Sequence, residues 1–260
     1  MRVEELESFR GQPGFRVETP SATWVLHRQG AGLAAAFDPD GADWIGYRPG
    51  GGSDGKHRGI PNAAYPEGLF HPGVEACRTE VVYADGERVE IAASSLDGAW
   101  AGRWVFDAQR ACFTLERAGH PYWFLYEGTP GGDYDEDQAY LVDSSGRREL
   151  CASRWEARIP EPRWVYFGAP RSRYVLSLID ATPRPAEVRD SYWSMQRNMT
   201  VFGFGRVLER EDPRWFHLTT TPARLVVALR PATDPEALAA ALERDAIAER
   251  ELLGSTPLGT

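Results

Sequence analysis

Apolar and polar residues alternate in short runs along most of this chain, at the period-two spacing that puts every second side chain on one face of a β-strand. Residues 15–18 and 23–28 show the pattern, as do 78–83 and 88–92, which flank Ala84-Asp85-Gly86. Asp-Gly between two such runs signals a hairpin, because both residues tolerate the positive φ of a tight turn. Residues 100–106 and 111–117 read as the next pair, followed by 122–127, 164–167, 174–179, 200–205, 216–220 and 225–229. Ten or more short strands with few helical stretches between them predict an all-β antiparallel sandwich, a supersandwich or a jelly roll, rather than βαβ units.

The period changes near the C-terminal end. Thr233-Asp234-Pro235-Glu236 opens like a capped helix, with Thr or Asp at the cap and Pro in the first turn. Leu238, Ala241, Leu242, Ala246 and Leu253 then recur near helical spacing until Gly254. The expectation is one helix over residues 235–253, packed outside a sheet. No internal repeat or linker divides the 260 residues, so a single domain is expected.

Two stretches interrupt the alternation, residues 48–74 and 181–198. Loops of that length without regular structure are uncommon in compact domains unless they carry function. The run Tyr122-Trp123-Phe124-Leu125-Tyr126-Glu127 is apolar on both faces, which predicts a central strand ending in a carboxylate.

Composition narrows the chemistry. A formal net charge of −9 argues against nucleic acid, which rewards a basic footprint. No apolar run approaches membrane-spanning length, and the first residues lack an apolar leader, so the expectation is a cytoplasmic protein. Three widely spaced cysteines favour buried thiols over a disulfide framework or a zinc site. Nine Trp, ten Tyr and eleven Phe suit stacking against sugar rings as well as β-propensity. All of the 29 basic residues are arginine except Lys56, which adjoins His57 in a glycine-rich loop. A lysine loses its proton when desolvated and an arginine does not, so Lys56 marks a candidate for proton chemistry or for nothing but a solvated loop.

Four clusters hold candidate side chains. Lys56, His57, Arg58, Asn62, Tyr65 and His71 lie within twenty residues. Elimination from a uronate needs a cation or amide to neutralise the carboxylate, Arg58 or Asn62, and a base or acid, His57, Tyr65 or His71. The structural alternative has Arg58 bonding backbone carbonyls and His71-Pro72 forming a rigid turn. Glu127, followed by a glycine-rich stretch, either presents its carboxylate to a cleft or pairs with an arginine from the next strand. As a hydrolase residue it would need Glu67, Glu75 or Asp190 roughly 5–10 Å away. Asp133, Asp135 and Asp137 resemble Ca²⁺ ligands without EF-hand spacing, so a solvated acidic loop competes and no cofactor is otherwise expected. Tyr192, Trp193, Gln196, Arg197 and Asn198 combine rings and amides as sugar-binding surfaces do. No phosphate-cradling loop, Gly-x-Ser-x-Gly elbow or His-Glu-x-x-His is found.

Arg58-Gly59-Ile60-Pro61-Asn62, residues 121–128 and residues 198–205 resemble phrases in uncharacterised bacterial β-sandwich proteins that accompany polysaccharide-degradation genes. At fold level the chain is also similar to galactose-mutarotase-like supersandwiches and jelly-roll polysaccharide lyases. It lacks a clear His…His…Glu mutarotase pattern. The resemblance implies sugar chemistry but brings no catalytic residue with it. Together these readings predict a carbohydrate-active protein acting on an oligo- or polysaccharide. A uronate lyase leads, with a glycoside hydrolase and a non-catalytic binding module as alternatives. The enzymatic readings require the two long loops to share one hollow, with Glu127 at its floor, whereas a binding module would present its aromatic rings on an open platform far from the basic loop.

Overall fold

The computed structural model describes residues 1–51, 58–61, 63, 70–206 and 218–255. Strands are numbered in chain order. One layer is a nine-stranded antiparallel sheet, running edge to edge through β11 (Arg148–Leu150), β10 (Tyr140–Asp143), β13 (Arg163–Gly168), β14 (Tyr174–Asp180), β17 (Ala223–Pro231), β8 (Ala111–Arg117), β7 (Ala101–Phe106), β6 (Val89–Ser95) and β5 (Cys77–Ala84). Asp85 closes the β5–β6 hairpin by accepting the N–H groups of Glu87 and Arg88 at 2.8 and 2.7 Å.

The facing layer comes in two halves. One is β1 (Arg2–Phe9), β2 (Gln12–Glu18), β3 (Thr23–His27) and β4 (Leu33–Phe37). The other is β9 (Phe124–Gly128), β16 (Met199–Phe204), β15 (Asp190–Met195) and β12 (Arg154–Ala157). Two residues join them. Ile60 exchanges backbone hydrogen bonds with Leu33 on β4, and Gly59 does so with Glu127 on β9, at 2.6–3.2 Å. The result is a supersandwich.

Inward-facing residues of both layers form one core. Trp24 meets Phe106 at 6.4 Å between centroids, Tyr126 meets Phe167 at 5.0 Å, and Phe167 meets Phe202 at 5.8 Å. Outside the large sheet lies α1 (Pro235–Ser255), whose Leu238, Leu242 and Ala246 cover Trp164, Tyr166, Ile179 and Val226. Strand β13 is therefore buried along its whole length, with Val165 and Phe167 facing the inter-layer core and Trp164 and Tyr166 facing the helix. Asp234 caps the helix through the N–H of Ala237 at 2.9 Å.

The stripe holds one surprise, Glu249. It is fully buried and paired with Arg110 of the β7–β8 turn and Arg224 of β17, each at 2.5 Å. All three cysteines are buried and free, and burial pushes the Cys112 thiol up to about 12. No helix among the described residues is long and apolar enough to cross a membrane.

Two expectations change. The stretch 181–198 is not all loop, because residues 190–195 form β15. The anticipated strand at 216–220 reduces to an isolated bridge between Leu218 and Tyr122, with residues 216 and 217 outside the described set. Strand β9 has β16 on one side and Gly59 on the other, so the interior position expected for it comes from the joint between the half-sheets.

Candidate functional site

At that joint the chain buries a polar cluster. Glu127, 1% exposed, places its Oε2 2.9 Å from Nε2 of His71, itself fully buried. The other ring nitrogen, Nδ1, donates to the carbonyl of Pro72 at 3.0 Å. Both nitrogens thus face oxygens, which fits an imidazolium against a carboxylate or an imidazole against a carboxylic acid; either pair is neutral overall. The His71-Pro72 wedge fits because glycine lies opposite it. A Cβ at Gly30 would fall 2.0 Å from the His71 carbonyl oxygen, and one at Gly59 2.5 Å from Pro72 Cγ.

Arg58 stands beside this pair and is 4% exposed. Its guanidinium donates to three carbonyls: Gly51 at 2.8 Å, Gly46 at 3.3 Å and Asn198 at 3.2 Å. Burial lowers its pKa first and Arg48 lowers it further, while Tyr126, Glu127 and Asp43 oppose them. Arg48 in turn donates to Oδ1 of Asn198 at 3.1 Å. The two stretches singled out in the sequence therefore meet at Arg58 and Asn198.

Above this contact opens a cleft of about 710 Å³. Its walls are the 38–42 turn, the 129–139 connection, the β13–β14 turn, Arg58, Arg197 and Asn198. The β15–β16 hairpin reaches it through Arg197 and Asn198. Its tip residues Gln196 and Arg197 are both at positive φ (52° and 55°), in a turn closed by the N–H of Asn198 on the Met195 carbonyl, and Gln196 itself is exposed and not part of the lining. Asn-Gly is the usual pair for such a turn, so two non-glycine residues there hold strain. Arg197 offsets it by pairing with Glu136 at 2.7 Å and Asp137 at 2.6 Å.

The expected site residues divide. Arg58, Arg197 and Asn198 line the cleft together. His71 and Glu127 lie buried against each other and are not part of its lining, so Glu127 is not the exposed floor the sequence suggested. Tyr192 is a core residue, fully buried, with its hydroxyl donating to the Cys151 carbonyl at 2.7 Å. Trp193 is half-buried under the Arg206 guanidinium, 4.0 Å from its ring centroid. Lys56, His57, Asn62, Tyr65 and Glu67 lie outside the described residues.

Neither Asp190 nor Glu75, the described residues considered as hydrolase partners of Glu127, lines the cleft. Asp190 is buried and held bidentately by Arg184 at 2.5 and 2.6 Å, and Glu75 is exposed. Nor do the acidic side chains at 133–137 gather as cation ligands. Asp135 accepts from the N–H of Asp137 and from Gln138 Nε2, Asp137 pairs with Arg197, and no group of three metal-ligating side chains occurs among the described residues.

Sequence reasoning missed the opposite wall of the cleft, Asp38, Gln138 and Arg171. Asp38 sits in a segment legible only as a turn. There it accepts the N–H groups of Asp40 and Ala42 and the indole N–H of Trp44. Arg171 follows Pro170 in an ordinary hairpin turn and carries no sequence signal at all.

No protein-family model and no curated protein matches the chain. Solved structures do. The chain is similar to a galactose mutarotase related enzyme from Lactobacillus acidophilus, with TM-score 0.54 and 10% identity over 85% of this chain and 98% of the other. It is similar to a putative mutarotase from Salmonella typhimurium, with TM-score 0.53 and 11% identity over 88% and 94%. It also resembles a galactose mutarotase-like protein from Clostridium acetobutylicum, with TM-score 0.50 and 8% identity over 88% and 98%. At such identities the likeness is one of architecture, and the chain has the galactose-mutarotase-like sandwich fold.

Proposed function

We propose that this is a carbohydrate-active protein that takes a uronate-containing saccharide into the cleft beside Arg58 and Asn198 and acts on it by β-elimination. One observation carries the reading. Two segments 140 positions apart meet on the wall of a single hollow whose lining is rich in carboxylates, guanidiniums and amides. A volume of about 710 Å³ lies in the range of small-ligand sites. Sharing an architecture with mutarotase-related proteins adds support at the level of ligand class.

In the elimination, a base removes the proton next to the uronate carboxylate. The bond from the neighbouring carbon to the glycosidic oxygen breaks, a carbon–carbon double bond forms, and an acid protonates the leaving oxygen. His57 and Tyr65 are this reading's base and acid. Arg58, with its donors on three carbonyls, shapes the wall and is not the carboxylate's partner.

Incubation with alginate, glucuronan, pectate and glycosaminoglycans tests the proposal, by following the ultraviolet absorption of an unsaturated uronate. Product from one polymer, lost in His57→Ala, supports it. Binding without product reduces the protein to a sugar-binding module. Neither binding nor product across the panel removes the reading.

A further inference from the structure

We infer that the cleft recognises the carboxylate of its saccharide through Arg171 and a pair of hydroxyls through Asp133. The inference rests on the sugar-binding reading of the cleft and deepens it.

Most charged groups of the lining are already engaged. Arg58 holds three carbonyls and Arg197 holds Glu136 and Asp137. Asp40 pairs with Arg173, Asp38 closes its own turn, and Asp135 holds Gln138. Arg171 and Asp133 line the same hollow, and neither has an ion pair or side-chain hydrogen bond to a described residue. An engaged guanidinium must break its bonds before it grips a ligand. A solvated one only exchanges water for ligand oxygen. Arginine's planar fork matches a carboxylate bidentately, and an aspartate accepts from two neighbouring hydroxyls at once.

Position supports the pairing. Arg171 is at the tip of the β13–β14 turn, closed by the N–H of Ser172 on the Ala169 carbonyl at 3.0 Å. Asp133 follows Gly131 and Gly132, whose turn is closed by the N–H of Gly132 on the Thr129 carbonyl at 2.8 Å. These two turns abut. A Cβ on Gly131 would lie 2.5 Å from that of Ala169, and Gly131 has a φ of 78°, so no side chain fits between them. The cation and the anion are thus mounted on two turns locked together, ready to span one ligand.

Calorimetric titration with glucuronate, galacturonate and mannuronate oligosaccharides, each beside its carboxyl-reduced counterpart, tests the inference. The intact protein is expected to prefer one acidic saccharide over its reduced form. Arg171→Ala should erase that preference, weakening the acidic ligand by about tenfold to a hundredfold and leaving the reduced one unchanged. Arg171→Lys should fall between, because it keeps the charge and loses the fork. Asp133→Asn should weaken both forms alike, and Arg78→Ala on β5 should change neither. Equal binding of both forms by the intact protein, or a preference that survives Arg171→Ala, overturns the inference while the cleft remains a sugar site. No binding of any saccharide overturns the sugar-binding reading beneath it.

Discussion

Arg58 donates to carbonyls from three separate segments while almost wholly buried, so Arg58→Ala leaves Gly46, Gly51 and Asn198 without that donor. Hydrogen bonds from a charged group to buried acceptors predict a loss of about 3 kcal/mol or more in urea unfolding. Arg58→Lys should recover only part of it, since one ammonium does not reproduce a fork with three directions. His27 makes a second residue-scale prediction. Burial is the largest influence on it and pushes its pKa from 6.5 down to about 4. Its hydrogen bond to Phe9 opposes that shift, while His71 and Arg10 add to it. The folded protein therefore holds this ring neutral where the unfolded chain protonates it. Stability is complete above about pH 6.5 and declines as pH falls towards 4, by about 3 kcal/mol from this residue. Unfolding free energies measured across that window should slope less steeply in His27→Gln; an unchanged slope would assign the acid sensitivity elsewhere.

Two junctions carry the arrangement of elements. Gly59 and Ile60 stitch β4 to β9, and Gly59 packs so close to Pro72 and to the Leu33 carbonyl that a Cβ would lie 2.5 and 2.7 Å from them. Gly59→Ala is expected to destabilise by about 2 kcal/mol or more. Its amide-exchange protection should fall first in β4 and β9. The other junction is Glu249, which binds α1 to the large sheet through Arg110 and Arg224. Glu249→Ala leaves two arginines facing the apolar side of α1 without their carboxylate, so thermal unfolding should report about 3–5 kcal/mol, against almost nothing for the exposed Ile247→Ser. These junctions explain what the sequence showed and hid. Strands β2 and β3 were legible from alternation, the β5–β6 hairpin from alternation and turn residues together, and β7 and β8 as a following pair of runs. Strand β4, Leu-Ala-Ala-Ala-Phe, was not, since alanine has no β preference and burial on both faces erases alternation. Strand β1 carries too many exposed charges to read as a strand, and β15 begins with an aspartate that serves Arg184.

For the whole molecule, the sequence located the right neighbourhood and mistook some of its roles. Arg58, His71 and Glu127 do assemble, but as a buried support for the joint between half-sheets. Asn198 and Arg197 reach the cleft because a strained hairpin tip delivers them there. The opposite wall was invisible because Asp38 and Arg171 gain their meaning from where the β13–β14 turn of the large sheet falls near the turn after β4, and no periodicity encodes that. Function at this scale depends on the hollow holding the saccharide. Gln138 is exposed on its wall, so Gln138→Trp should fill the space and leave the fold intact. Titration of a uronate oligosaccharide into both proteins, with thermal unfolding as the check on folding, decides the matter. Binding by the intact protein and at least about tenfold weaker binding by the variant, at unchanged stability, are the expected outcome. Undiminished binding in Gln138→Trp, or none in the intact protein, contradicts it.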